Sequence, residues 1–318
     1  MLNYRGLKYR IGRHITNIQG WRTNRKIIVI ESDDWGSIRM PSKKVYDKLL
    51  NAGIRVDKCP YNRNDSLATE EDLSALFDVL SRIRDKNGNN PVITANAVVA
   101  NPDFERIKAS DYQNYFFEPF THTLRKQPTH QNAFNLWKQG INAGLFHPQF
   151  HGREHVNVPM WLNLLRANNP VLNKAFDFGF WGLGPSIANT GNLNIQATFD
   201  ALEKAELDPQ KKAINEGLDL FESLFDYRSK SFIANNFIWH PDLNPVLANK
   251  GVTIFQGMKY QKLPILNGPK RRMVRHYLGE RNKLKQLFLI RNCTFEPTQH
   301  REIDSVSACF NDIKNAFF

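Results

Sequence analysis

"KIIVIESDDWGS", residues 26 to 37, runs four apolar residues, Ile27 to Ile30, into Glu31, Ser32, Asp33 and Asp34 before Trp35 and Gly36. A short apolar run bounded by polar residues reads as a fully buried strand of a parallel sheet. Two adjacent carboxylates at its tip repel each other and stay ionised only where a cation or hydrogen-bond donors offset the repulsion. The pair therefore points to a metal or base role, against the plainer reading of an Asp that caps the loop after the strand.

Working outward, "PSKKVYDKLLNAGI" carries Val45, Leu49 and Leu50 at helical spacing and stops at Gly53, and "RVDKCPYNRNDS" reads as a polar loop. "LATEEDLSALFDVLSRIRDKNGNN" is a helix capped by Thr69, and "PVITANAVVAN" is a strand. "QNAFNLWKQGINAG" reads as a helix, "LFHPQFHGREHVNV" as a strand running into a loop, and "PMWLNLLRAN" as a helix begun by Pro159. "FDFGFWGLGPSIANTGN" reads as loop, and "IQATFDALEKAEL" and "KKAINEGLDLFESLFD" as helices. "SFIANNFIW", "VTIFQG" and "LFLIRNCTF" read as strands, with "NPVLANKG" and "SVSACFNDIKNAFF" as helices. Alternating strands and helices argue a parallel α/β sheet, and the number of units argues a barrel-like arrangement.

The chain has 318 residues, 41% of them apolar, enough to bury a substantial core. Its 43 Lys and Arg against 31 Asp and Glu give a formal charge of +12, which favours encounter with polyanions. No recurring nucleic-acid-binding signature accompanies that charge, so nucleic acid is not the expected partner. Cys59, Cys293 and Cys309 are widely spaced and odd in number, which suits thiols in a reducing compartment. With neither a signal-peptide pattern nor an apolar run long enough to cross a bilayer, the chain reads as cytoplasmic. Near the N-terminus Leu7, Ile11, Ile15 and Ile18 recur at helical spacing among Arg5, Lys8, Arg10 and Arg13. Such a helix can make peripheral contact with an anionic membrane, although a helix covering one end of a barrel is the preferred reading.

A second cluster gives the aspartates a task. "FHPQFHGREH" places His147, His151 and His155 four apart, three of nine histidines in the chain. Two imidazoles brought together by a tight loop and one carboxylate from elsewhere supply three protein ligands to a divalent cation and leave a position for water. Either His147 with His151 or His151 with His155 has the spacing.

A strand ending in Asp-Asp, a later strand ending in H-x-x-x-H, and the β/α alternation together resemble the polysaccharide deacetylases, carbohydrate esterase family 4. The resemblance spans roughly residues 26 to 300. It implies a distorted (β/α)7 barrel, with residues 1–25 as a basic helical lead-in and 26–318 as a barrel lacking its last strand. It implies a metal-dependent hydrolase that removes acetyl groups from N- or O-acetylated sugars, with a glycan or glycan precursor as partner and a divalent metal, zinc first, as cofactor. Carried over, Asp33 is the catalytic base, and Asp34, His151 and His155 are the metal ligands, with His147 the alternative. Trp35, Arg153, Asn235, Trp239 and Trp181 are the candidate substrate contacts.

Two features depart from the family pattern. Where the family keeps an Arg followed by prolines to orient the base, this chain has Asn235 and Asn236, with Arg153 and Arg291 as candidate replacements. The chain also ends in a helix, without the final strand and its His that serves as general acid. Truncation, substitution by His240 or His300, or impaired activity would each account for that.

"HGREH" also fits H-x-x-E-H, a zinc-peptidase pattern with Glu154 as base, but that pattern needs a helix that Pro148 and Gly152 oppose. A deacetylase-like barrel that binds glycan without turnover is the other alternative. Phe176, Phe178, Phe180 and Trp181 can stack on sugar rings or form local core. The basic stretch "GPKRRMVRHYLGERNKLK" can attract an acidic polysaccharide or a lipid-linked phosphate, or simply be solvated.

Overall fold

The computed structural model describes residues 18–191, 194–266, 270–299 and 302–317. The amphipathic N-terminal helix falls largely on residues 1–17, outside the described residues, as does His300.

Six parallel strands form one curled sheet. They are β1 (Ile30–Trp35), β2 (Ile93–Val98), β3 (Phe146–Gly152), β4 (Ser231–Phe232), β5 (Ile254–Gly257) and, after a hairpin of β6 (Tyr260–Lys262) and β7 (Met273–Arg275), β8 (Leu287–Ile290). The spatial order is β1-β2-β3-β4-β5-β8, so each strand lies beside its predecessor in the sheet. This is the order of a half-barrel. Where the family resemblance implies seven strands, the described residues give six, and no backbone ladder joins β1 to β8.

The helices follow from local chemistry. Ser42 accepts from the Val45 N–H and starts α1 (Lys43–Asn51). Thr69 and Asp72 form a reciprocal capping box on α2 (Glu70–Arg82), satisfying two N–H groups that a helix end leaves open. Further along are α3 (Ala133–Asn142), α4 (Val158–Arg166), α5 (Pro170–Asp177), α6 (Leu207–Phe225), α7 (Asn244–Asn249) and α8 (Ser305–Phe317). Ala95, Ala97, Phe146, Phe150, Phe232 and Phe255 from the strands meet Trp137, Ile214, Phe221 and Phe225 in the main core. A second cluster gathers Leu49, Trp161, Phe176, Phe180 and Trp181. No helix among the described residues is long and apolar enough to cross a membrane.

Four sequence expectations change. Ile27 to Val29 precede the strand and are exposed, Val29 to 63%, because the ladder with β2 begins only at Ile30 opposite Ile93. The acids therefore lie within β1 rather than beyond it. "SFIANNFIW" supplies only a two-residue strand, because Asn236 and Phe237 adopt left-handed backbone at φ 55° and 59° and turn the chain. In "IQATFDALEKAEL" the Ala197 and Asp200 carbonyls accept from the Asn157 amide instead of joining a helical ladder, which leaves turns up to residue 203. The supposed loop at 176–181 begins inside α5, and Phe176, Phe180 and Trp181 are buried core residues.

Candidate metal centre

Adjacent residues of a regular strand point to opposite faces, so Asp33 and Asp34 can share a site only if the strand is irregular. It is. Ser32 pairs with Ala95 and Trp35 with Ala97, so β1 spends three steps where β2 spends two. This is a β-bulge, and Asp34 sits in it at φ 66°. Gly36 completes the turn at φ 81°, where a Cβ would lie 2.6 Å from the Val98 carbonyl oxygen.

A second bulge faces the first. Ala97 pairs with Phe150 and Val98 with Gly152, so His151 is the extra residue of β3. Gly152, at φ 136°, then turns the chain toward His155 just ahead of α4, whose N-terminus Asn157 caps by accepting from the Met160 N–H. Bulges re-aim side chains, and these two aim theirs at one point.

There Asp34, His151 and His155 offer ligand atoms that all lie within 4.8 Å of one another. His151 Nε2 lies 3.0 Å and His155 Nε2 3.1 Å from the same Asp34 Oδ1. His151 Nδ1 lies 2.9 Å from the Ile233 carbonyl oxygen, which accepts its proton and leaves Nε2 with a lone pair toward the carboxylate. Buried His155 has no hydrogen-bond partner at Nδ1 among the described residues, and its Nε2 is turned to Asp34 Oδ1. Two imidazole nitrogens and one carboxylate oxygen converge in this way, and their donor chemistry fits a divalent cation.

The three groups are biased in different directions. Burial opposes ionisation of Asp34, yet His155 and Arg39 hold its carboxyl well below the ordinary value. Burial likewise opposes charge on His151, but Asp34 and Asp33 raise it. For His155 burial prevails and the imidazole is pushed down, toward the neutral form a metal requires.

Asp33 has separate company. Arg291, the residue after β8, donates from Nη1 and Nη2 to its two oxygens at 2.6 Å each and from Nε to Glu31 at 2.8 Å. Asn96 on β2 donates to Asp33 Oδ1 at 2.8 Å. Burial would raise the Asp33 carboxyl, but the Arg291 hydrogen bonds, with the charges on His151 and Arg291, bring it below its ordinary value. Arg291 also ties the two open edges of the half-barrel together.

The other sequence candidates divide. Asn235 is buried, and its amide donates to His151 Nε2 at 3.2 Å. Trp181 stacks on His155 with centroids 5.9 Å apart and donates to the Ile38 carbonyl. His147 lies at the start of β3, stacked on Tyr227, and is not in the triad. Trp35 packs edge-on against Trp137 and Phe146 in the core, and Trp239 lies flat on Phe255 with its N–H given to Asn244. Arg153 is buried in ion pairs with Glu154 and Glu216 and under the Phe117 ring. Those pairs replace contact with Asp33. The same Arg153 occupies Glu154, and "HGREH" is strand end and bends, so the helix that H-x-x-E-H needs is not there.

Arg39 and Asp65 were not singled out by sequence. Arg39 pairs with Asp34 on one side and with Asp65 on the other, while Asp65 also accepts from the Arg39 and Met40 N–H groups. Asn96 carried a signal, an amide in a strand otherwise made of Ile, Thr, Ala and Val.

No family model matches the sequence, and no curated protein matches it. Solved structures similar to it include a polysaccharide deacetylase from Bacillus cereus, at 10% identity and a TM-score of 0.34, with 84% of this chain covered. The chain spans 64% of the length of that protein. Another is IcaB from Ammonifex degensii, at 8% identity and a TM-score of 0.27, covering 72% of this chain and 84% of that one. Overlaps this loose carry no weight for the chemistry of the site.

Proposed function

We propose that the protein is a metal-dependent hydrolase that removes acetyl groups from N- or O-acetylated sugars. The observation that supports this most is the division of labour between neighbouring carboxylates on one bulge: Asp34 faces two imidazole nitrogens, and Asp33 is held anionic beside them by Arg291. Asp34, His151 and His155 would hold the cation, with zinc the first candidate. A divalent cation there supplies Lewis acidity to an acetyl carbonyl and makes water a better nucleophile at neutral pH.

The chain's own residues do the rest. Asp33 accepts the proton of the attacking water, and Arg291 with Asn96 fixes the orientation of that carboxylate. Ile233 and Asn235 hold the His151 ring, and Trp181 covers one face of His155. The products are acetate and a free amine or hydroxyl on the sugar. The proposed setting is the cytoplasm, with a glycan precursor as substrate.

Metal content and acetate release, measured on wild type, Asp34→Ala, His151→Ala and Asp33→Asn, test the proposal. The first two variants lose metal, and Asp33→Asn keeps metal and loses turnover. Unchanged metal content in Asp34→Ala and His151→Ala would falsify the site. Metal and glycan binding without acetate release by wild type would instead establish a glycan-binding barrel.

A further inference from the structure

The hairpin β6–β7 adjoins the end of the sheet that carries the triad. Lys262 pairs its backbone with Ile238, and its carbonyl accepts from the Trp239 N–H at 3.3 Å. Asn235, on the turn just before Ile238, donates to His151. Strand alternation sorts the hairpin's side chains. Gln261 is buried and donates to the Trp239 carbonyl, and Val274 opposite it is half-buried. Tyr260 and Lys262, with their partners Arg275 and Met273, are exposed.

The charge on this face is one-sided. Between Asp242 and Glu280 the sequence holds seven Lys or Arg and no acid. Two are spoken for: Arg271 pairs with Asp200, and Lys250 with Asp219. Lys262 and Arg275 are exposed on this face, Lys270 and Arg272 are exposed in the segment that joins its two strands, and none of the four makes an ion pair among the described residues. Unpaired cations on a twisted ribbon, with an aromatic ring directly across from one of them, suit a chain of sugar rings that bear anions: the ring stacks and the bases pair.

We infer that this hairpin is the binding rim for the protein's saccharide, and that the saccharide carries carboxylates along its length. Bases distributed over both strands match charge repeated along a polymer better than a single terminal phosphate does. The inference rests on the proposed deacetylase reading only for what happens to the bound sugar; the anion binding stands apart from it.

The test is calorimetric titration of the metal-loaded full chain with two acetylated hexamers. One contains N-acetylglucosamine alone; the other alternates it with glucuronate. The alternating hexamer should bind about tenfold more tightly at low salt. The advantage should vanish near about 0.5 M salt, where exposed charges are screened, and in the Lys262→Glu/Arg275→Glu variant. Both substitutions fall on exposed side chains, so circular dichroism and metal content should match wild type. Equal affinity for the two hexamers, or preference retained by the variant, overturns the inference, as does tighter binding of a single-stranded oligonucleotide of equal charge. Discrimination by a chain that takes up no metal would leave this inference standing while the deacetylase reading fails.

Discussion

Arg291 and Asp33 are 258 residues apart in sequence and meet in a two-pronged ion pair at 2.6 Å, across the open side of the half-barrel. Each sits at the C-terminal end of an edge strand, and the guanidinium also reaches Glu31. One side chain thus joins the sheet's edges and holds the proposed base.

Replacing Arg291 should therefore affect stability and chemistry together. Arg291→Gln leaves Glu31 and Asp33 as neighbouring acids without their cation. Loss of about 3 kcal/mol is expected in urea unfolding, the scale for breaking a largely buried pair. Turnover should fall while Asp34, His151 and His155 keep their metal. Full activity in that variant would remove Arg291 from any role in positioning Asp33.

The bulge at Asp34 depends on Gly36. A methyl group there would meet the Val98 carbonyl at 2.6 Å and the Phe120 ring at 3.0 Å, at a φ that only glycine adopts freely. Gly36→Ala is expected to cost about 2 kcal/mol and to weaken metal binding, because the bulge must shift. Thermal unfolding with and without chelator separates the two effects.

Arg153 should behave as a structural residue. Arg153→Met strands buried Glu154 without its cation and should destabilise by about 3 kcal/mol or more. Adding Glu154→Gln should restore much of that. Saccharide affinity of the double variant, read by titration, should equal that of wild type.

Acid should weaken the hairpin's anchor. His276 stacks on Phe288 and lies beside Gln261 and Glu280; burial pushes its imidazole down from 6.5, against the pull of Glu280. The unfolded chain then binds a proton at a pH where the folded chain does not. The sign follows: this stability is present above about pH 6.5 and lost as pH falls below it. A melting series at falling pH should show a steeper decline for wild type than for His276→Asn, and parallel curves would remove the assignment.

The sequence by itself determined the strand carrying Asp33 and Asp34, the strand and loop carrying His151 and His155, and the parallel α/β class. Those rest on local pattern: apolar runs, caps such as Thr69, and histidines at fixed spacing. Where local pattern left two answers, tertiary structure chose. His147 and His155 are each four residues from His151, yet only His155 lies past the bulge and the turn at Gly152. Arg153 and Arg291 were equal candidates for Asp33, and Glu154 with Glu216 took the first. Trp35 sits beside the aspartates in sequence but points into the core, because the bulge reverses which residues face which side. Bulges, registers and ion pairs between distant edges arise only when strands are laid side by side, so no window of sequence contains them.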